Sequence, residues 1–502
     1  MSSKIFSANI IGLQSHIIEV EAESMKGLRT FNIVGLPSKS IEEAKERIDL
    51  AIKNSFLKRP SSENLRTIIN LAPADTKKEG TILDLPIALS YLIVSKQARF
   101  DSAKKLIFGE LSLNGEVKKA RGAIIIAIKA KEEGFEELIL PKENALEASA
   151  VSGIKIIGVE TLNECLAYLE KRTKIEPEKI VQRNEYENRQ NDFLWIQGQE
   201  YAKRAIEIAA SGGHNLLMEG PPGTGKTMLA KSMAGLMPNL SDDQSLEVTK
   251  IYSLIGELKK DNPIIMIPPF RNPHHTSSEV SILGGGNPPV PGEITLAHRG
   301  ILFLDEFPEF HRNVLEALRQ PIEEGEVTIL RNKYKVCLPA KFTLVVAANP
   351  CPCGFYGDSE KDCTCSSSQI QMYKRKLSGP IIDRIDMIIN VPRIKFDKLN
   401  STNDSTAFEK IRQNILAARQ IQLKRFAGEG ITLNSEMNIP QIKKYCQFEE
   451  DSEKLLKAAV DSGKLSPRGY HRLLKVARTI ADLENSKRIL LSHISESLAY
   501  RK

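Results

Sequence analysis

The stretch HNLLMEGPPGTGKTMLAKSMAGL, residues 214–236, constrains this chain more than any other. Asn215–Met218 reads as a short apolar strand, and MLAKSMAGL reads as a helix. Between them Gly220, Pro221, Pro222, Gly223, Thr224, Gly225, Lys226 and Thr227 fit G-x-x-x-x-G-K-[ST]. Strand, glycine loop and helix come in the order a phosphate loop requires. Glycines let successive backbone N–H groups turn toward phosphate oxygens at a helix N-terminus, where the dipole favours negative charge. Lys226 is then expected to reach the β/γ-phosphates of ATP, and Thr227 to ligate Mg²⁺.

A phosphate loop alone does not make a hydrolase. GILFLDEF, residues 300–307, supplies a partner: an apolar strand ending in Asp305 and Glu306. An acidic pair there holds Mg²⁺ through the first carboxylate and polarises water through the second. FTLVVAAN ends in Asn349, placed to orient the attacking water or touch the γ-phosphate. LSGPIIDRIDMII adds Arg384, and LSPRGYHRLLKVARTIADL adds Arg468 near a helix start. Arginines are common on surfaces, and these two gain weight only from their order along the chain.

The 502 residues leave room for two or three domains, and 70 basic against 63 acidic residues give a mild net charge of +7. That excess is compatible with nucleic acid without pointing to it. The N-terminus, MSSKIFSANIIGLQSHIIEVEAES, lacks the shape of an export signal, and no apolar run approaches a membrane span. A cytoplasmic protein with reduced thiols and no membrane partner is expected. Residues 1–170 mix strand-like runs (IINLA at 68–72, LIF at 106–108, ELIL at 137–140, IKIIGV at 154–159) with a helical pattern. That helix carries Ile41, Ala44, Ile48 and Ala51 behind a Ser40 cap, and Asn114-Gly115 marks a hairpin. Polar linkers are expected at 171–193 and 396–406, flanking an α/β region at 194–395 and followed by helices at 407–502.

Four of the seven cysteines crowd into one stretch as Cys351, Cys353, Cys363 and Cys365. In a reducing compartment, four thiolates around a loop without apolar material point to a structural Zn²⁺, with unliganded thiols as the alternative. The cluster falls between Asn349 and Arg384, where a braced loop would stiffen a contact between subunits. GEVTILRNKYKVCLP, 325–339, reads as a hairpin. Arg331, Lys333 and Lys335 recur at period 2 on one strand face with Tyr334 opposite, suited to phosphates and bases, or equally to a solvated edge. His274 and His275 are adjacent, and adjacent histidines rarely chelate an ion without further ligands.

Phosphate loop, Asp-Glu strand, asparagine strand, DR motif and a helical S-x-R segment together resemble an AAA+ ATPase. PFRNPHHTSSEVSILGGG followed by PPVPGEITLAHRGILFLDEFPEF is similar to the magnesium chelatase-like group, and the whole chain resembles the YifB/ComM family, linked to DNA processing in natural transformation. The resemblance implies a multidomain α/β protein: a ribosomal-S5/Lon-like N-terminal domain, an AAA+ core with a helix-2 insert, and a C-terminal helical lid. It implies that Asn349 is a sensor, Arg384 an arginine finger and Arg468 a second sensor, with Arg375 and Arg472 as competitors. It also implies a ring, expected to be a homo-hexamer, that moves along single-stranded or branched DNA as a helicase or branch-migration motor. A magnesium-chelatase motor subunit and a protein remodeller are the alternatives. Aligned with Lon proteases, the nucleophile and lysine positions fall at Ile82 and Ile124, both apolar, so proteolysis is not expected.

Overall fold

The computed structural model describes residues 2–501 except 75–76, 79, 180–191, 287–288, 332–333, 359, 378–380, 394–404 and 464. The expected linkers at 171–193 and 396–406 lie largely outside the described residues, and Lys333 lies wholly outside them. The chain divides into two compact units: Met1–Asn184 with Ser245–Ile265, and Glu185–Gln244 with Met266–Lys502.

The first unit is built on a seven-stranded mixed sheet, in the order Thr30–Val34, Leu65–Ala72, Gln14–Lys26, Ser2–Ile11, Lys105–Ile107, Glu137–Pro141 and Lys155–Val159. The apolar runs singled out in the sequence supply four of these strands. Ser2–Ile11 and Gln14–Lys26 form a long antiparallel pair. Ile18, Val20 and Ala22 alternate inward while Glu19, Glu21 and Glu23 face out, the period of a half-buried strand. The helix Lys39–Asn54 buries Ile41, Ala44, Ile48 and Ala51 as their spacing predicts, but its cap position is Ser38, not Ser40. Asn114-Gly115 does turn a hairpin, pairing Glu110–Leu111 with Val117–Lys118.

The helix Asp242–Ile255 gives this unit a piece from the middle of the chain. Leu246 and Leu254 pack against the cluster that contains Ile124 and Ile126, and the Gly122 N–H donates to the Ser253 carbonyl at 3.1 Å. Ile82 packs against that same apolar cluster.

The second unit contains a five-stranded, all-parallel sheet in the order Phe270–Arg271, Ile301–Leu304, Thr343–Ala348, Leu216–Glu219, Met387–Asn390. Ile301–Leu304 and Thr343–Ala348 are buried along their whole length, because helices cover both faces of a parallel sheet. Glu200–Gly212 and Lys226–Leu236 pack here, and so do Ile415, Val476, Ile480 and Tyr500 from the C-terminal helices. Those helices also enclose an apolar cluster of their own around Ile442, Leu456, Leu473 and Ile494.

A buried polar network fastens the N-terminal edge of this sheet to the C-terminal helices. His214 Nε2 shares a hydrogen bond with Thr479 Oγ1 at 2.7 Å, and Asn434 Nδ2 reaches Thr479 Oγ1 at 3.0 Å and Asp482 Oδ2 at 2.8 Å. Arg425 and Arg478 both donate to Asp482. Asp386 accepts the Asn215 N–H at 2.9 Å and stands 3.8 Å from His214 Nδ1 and 3.9 Å from Arg472 Nε. Burial alone would raise the pKa of Asp386, but His214, Arg472 and Lys475 outweigh it and bring it to about 2. A carboxyl held below its ordinary value stabilises the fold above about pH 4 and loses that contribution as pH falls toward 2. Asp386→Asn is therefore expected to cost about 2 kcal/mol at pH 7. In urea unfolding at a series of pH values, the gap from the parent should stay constant down to about pH 4 and narrow below it. A gap independent of pH would contradict this.

Candidate nucleotide site

Because all five strands run parallel, their C-terminal ends open on one edge, and the loops leaving them converge there. Gly225 opens the helix Lys226–Leu236 at φ 83°, a backbone region that side chains with a Cβ rarely enter. Lys226 Nζ donates to the carbonyls of Gly220 at 2.6 Å and Pro221 at 2.8 Å, and lies 3.4 Å from Asn349 Oδ1. The lysine is buried, and desolvation lowers its pKa against the opposing charge of Asp305. Its carbonyl partners are neutral, so an incoming phosphate offers it a stronger, charge-assisted bond.

Thr227 Oγ1 donates to Asp305 Oδ2 at 2.8 Å. Adjacent oxygens on an octahedral Mg²⁺ stand about 3 Å apart, so this hydroxyl and carboxylate already sit at the spacing the ion needs. Glu306 follows at φ 50° with its carboxylate 55% exposed, turned out at the strand end. Its Oε2 lies 3.1 Å from His275 Nδ1. Sequence reasoning weighed His275 only as a metal ligand and missed this contact. The nearby signal was the histidine pair itself, whose ring centroids lie 4.2 Å apart at a tilt of 33°.

The arginines are placed differently. Arg384 is only 5% exposed and is held by Glu323 of its own chain. It sits at the other end of the sheet, just before Met387–Asn390, in a cavity of about 540 Å³ that it shares with Asp386, Arg472 and Lys475. Arg472 Nη1 donates to the Ile385 carbonyl at 3.4 Å. Arg468 is exposed on the first turn of Pro467–Leu483, capped by Ser466. Arg375 is exposed on Ser367–Leu377 and lines a different groove, beside Phe307–Phe310.

The hairpin at 325–339 forms, but not in the expected register. Glu326–Arg331 pairs antiparallel with Tyr334–Pro339, and Arg331 lies directly opposite Tyr334. Directly opposed positions share a face, so 331 and 334 stand together and Lys335 stands on the other face with Leu330. One strand ends at Arg331 and the next begins at Tyr334, so the period-2 reading that put Arg331 and Lys335 on one face of a single strand does not hold. Val327, Ile329, Val336 and Leu338 are buried, whereas Leu330, at 68% exposure, and Lys335 face solvent.

Cys351, Cys353, Cys363 and Cys365 do come together, with every Sγ within 4.8 Å of the others. Cys351 lies 3.3 Å from Cys353 and 3.7 Å from Cys363, and Cys353 lies 3.6 Å from Cys363. Four sulfurs at about 2.3 Å from one tetrahedral ion would stand about 3.8 Å apart, so the cluster has the size of a metal cage. The N–H groups of Cys353 and Tyr356 donate to the sulfurs of Cys365 and Cys351, each at 3.3 Å. Among the described residues, no helix is long and apolar enough to cross a membrane.

Three family models cover most of the chain. Magnesium chelatase, subunit ChlI, matches residues 192–399; subunit ChlI of Mg-chelatase matches 20–144; and the ChlI C-terminal model matches 405–501. The competence protein ComM of Haemophilus influenzae is 40% identical over 99% of this chain and 97% of its own length. The chain belongs to the YifB/ComM family of magnesium chelatase-like AAA+ proteins. YifB of Escherichia coli is likewise 40% identical, over 98% of this chain and 95% of its own. A magnesium-chelatase 38 kDa subunit of Cereibacter sphaeroides is 23% identical over 60% of this chain and 88% of its own. Membership in an AAA+ family brings ATP and Mg²⁺ as cofactors, and the Lys226, Thr227 and Asp305 geometry fits both.

Proposed function

We propose that this protein is a ring-forming ATPase that moves along DNA, acting as a helicase or branch-migration motor in the processing of incoming DNA. One observation carries the ring: Lys226, Thr227, Asp305, Glu306 and Asn349 gather at the C-terminal edge of the sheet, whereas Arg384 and Arg472 lie at its N-terminal edge. Arginines on that edge cannot meet the nucleotide of their own chain. Stacked head to tail, each subunit would present them to its neighbour's phosphates, and a heterologous contact of this kind closes into a ring, here a homo-hexamer.

DNA is favoured over other cargo by the extent of the likeness to ComM, a competence protein matched end to end, against the shorter and weaker match to the chelatase subunit. Lys335, on the exposed face of the hairpin, is a cation suited to a phosphate backbone. Arg331, Lys333 and Tyr334 remain part of the proposed contact. The four cysteines hold a structural Zn²⁺, which has no open coordination position for catalysis.

The test is ATP hydrolysis by the purified protein with no DNA, single-stranded DNA or branched DNA. At least fivefold stimulation by one of these DNAs is expected, falling steeply between about 50 and 200 mM salt as phosphate contacts are screened. Hydrolysis indifferent to every DNA but raised by a protein partner would favour the chelatase-type or remodelling alternatives.

A further inference from the structure

We propose that the four-cysteine loop is a metal-held brace for the phosphate loop, so that losing its ion weakens nucleotide binding at a site the ion never touches. This rests on the zinc reading above and adds a role for the metal within one chain, in place of the stiffened subunit contact expected from sequence.

The loop and the nucleotide edge meet at Gly354. That residue lies between two of the metal-ligating cysteines, at φ 85°, and a Cβ there would stand 2.6 Å from Pro222 Cδ and 3.9 Å from the Asn349 side chain. Pro222 belongs to the phosphate loop, and its neighbours Gly220 and Pro221 provide the carbonyls that hold Lys226. The cysteine loop therefore forms the wall against which the phosphate loop rests. The two also share a cavity of about 300 Å³, lined by Gly220 and Pro221 on one side and by Tyr356 and Asp358 on the other. On the other flank, Asn349 precedes Cys351 by two residues, so the first metal ligand also fixes the end of the strand that presents Asn349 to Lys226.

Without an ion, the shape of this wall depends on a few side-chain and turn contacts. The described residues of 351–365 contain no helix or strand. Apart from the cysteines, the loop is fastened by Arg393, whose Nε donates to Asp358 Oδ2 at 2.8 Å and whose guanidinium lies over the Phe355 ring at 5.5 Å. Lys361 lies over Phe355 as well, and Lys374 over Tyr356. The Asp358 carboxylate is buried in its pair with Arg393 and also accepts the N–H groups of Glu360 and Lys361, whereas Tyr356, Lys361 and Lys374 are exposed, and together these contacts act on the middle of the loop, residues 355–361. A tetrahedral ion closes the loop between residues 351 and 365 and supplies folding free energy that the loop lacks. A phosphate loop resting on an ordered wall is preorganised for its ligand, whereas one resting on a disordered wall must be ordered by the nucleotide at the expense of affinity.

The full-length protein is assayed for zinc by atomic emission and for binding of a fluorescent ATP analogue with Mg²⁺, first as purified, then stripped with an organomercurial and chelator, then after zinc is restored. About one zinc per chain is expected, with affinity about tenfold weaker in the stripped protein and recovered on adding zinc back. Recovery separates loss of the brace from irreversible unfolding. Arg393→Ala, which loosens the wall and leaves the cysteines intact, should keep its zinc and lose part of the affinity. Stripped protein that binds nucleotide as tightly as the parent would overturn the brace and leave the zinc reading standing. A parent protein without metal would overturn both, and the metal assay alone tells the two failures apart.

Discussion

Glu306→Gln is expected to leave ATP binding within about threefold of the parent and to slow hydrolysis by a factor of roughly 10² to 10⁴. The binding half of the site does not involve this carboxylate: Lys226 and the Thr227–Asp305 pair sit beside it and touch other groups. Glu306 stands one residue beyond Asp305, with one oxygen 3.1 Å from His275 and its carboxylate half-exposed to water at the edge where the nucleotide is expected. Glutamine keeps the length, the planar end and an oxygen for His275, so the local backbone has no reason to move. What it loses is basicity, and general-base assistance is worth this range of rates. Nucleotide affinity measured directly, together with steady-state phosphate release, separates the two effects. A glutamine variant that retains a tenth or more of the parent rate would remove Glu306 from the chemistry.

How readily each part could be read from sequence follows from how local its cause is. The Thr227–Asp305 pair was legible because Thr227 opens the helix that follows a contiguous strand and glycine loop, and Asp305 follows directly on an apolar strand. The gathering of the four cysteines was legible because they lie within fifteen consecutive residues. The pairing of Arg384 with Glu323 was not, because Glu323 belongs to another element and no spacing rule connects them. The hairpin misled for a different reason. Alternation places residues on a face only within one strand, and Arg331 and Tyr334 belong to two paired strands within the run read as one. The helix Asp242–Ile255 shows a third limit: Leu246 and Leu254 announce a face to be buried but not which unit will bury it. Ser2–Ile11 and Gln14–Lys26 were weighed only for export, although their alternation is plain once the antiparallel pairing is known.

Mixing two inactive variants, Lys226→Ala and Arg384→Ala, is expected to restore ATP hydrolysis that neither shows alone. Loss of Lys226 empties the chain's own pocket and leaves its opposite edge intact. Loss of Arg384 spares the pocket and removes the guanidinium offered to a neighbour, a contribution worth about 10³ or more in rate where an arginine stabilises the transferred phosphoryl group. In a ring assembled at random from equal amounts, roughly a quarter of the junctions would join a good pocket to a good arginine, because the contact is heterologous and each subunit contributes one half to each side. Glu323, whose side chain is 52% exposed, holds Arg384 in the single chain. The more concentrated charge of a neighbour's triphosphate competes for that guanidinium, so the buried pose is a resting state compatible with a role in trans. A chain carrying both substitutions, mixed with either single variant, should rescue nothing, since no junction then has both halves. If subunits labelled on the two variants exchange freely and hydrolysis still does not return, Arg384 acts within its own chain and the shared site is lost as an explanation. If activity returns, the two edges of one sheet are two halves of a site that a lone subunit cannot complete.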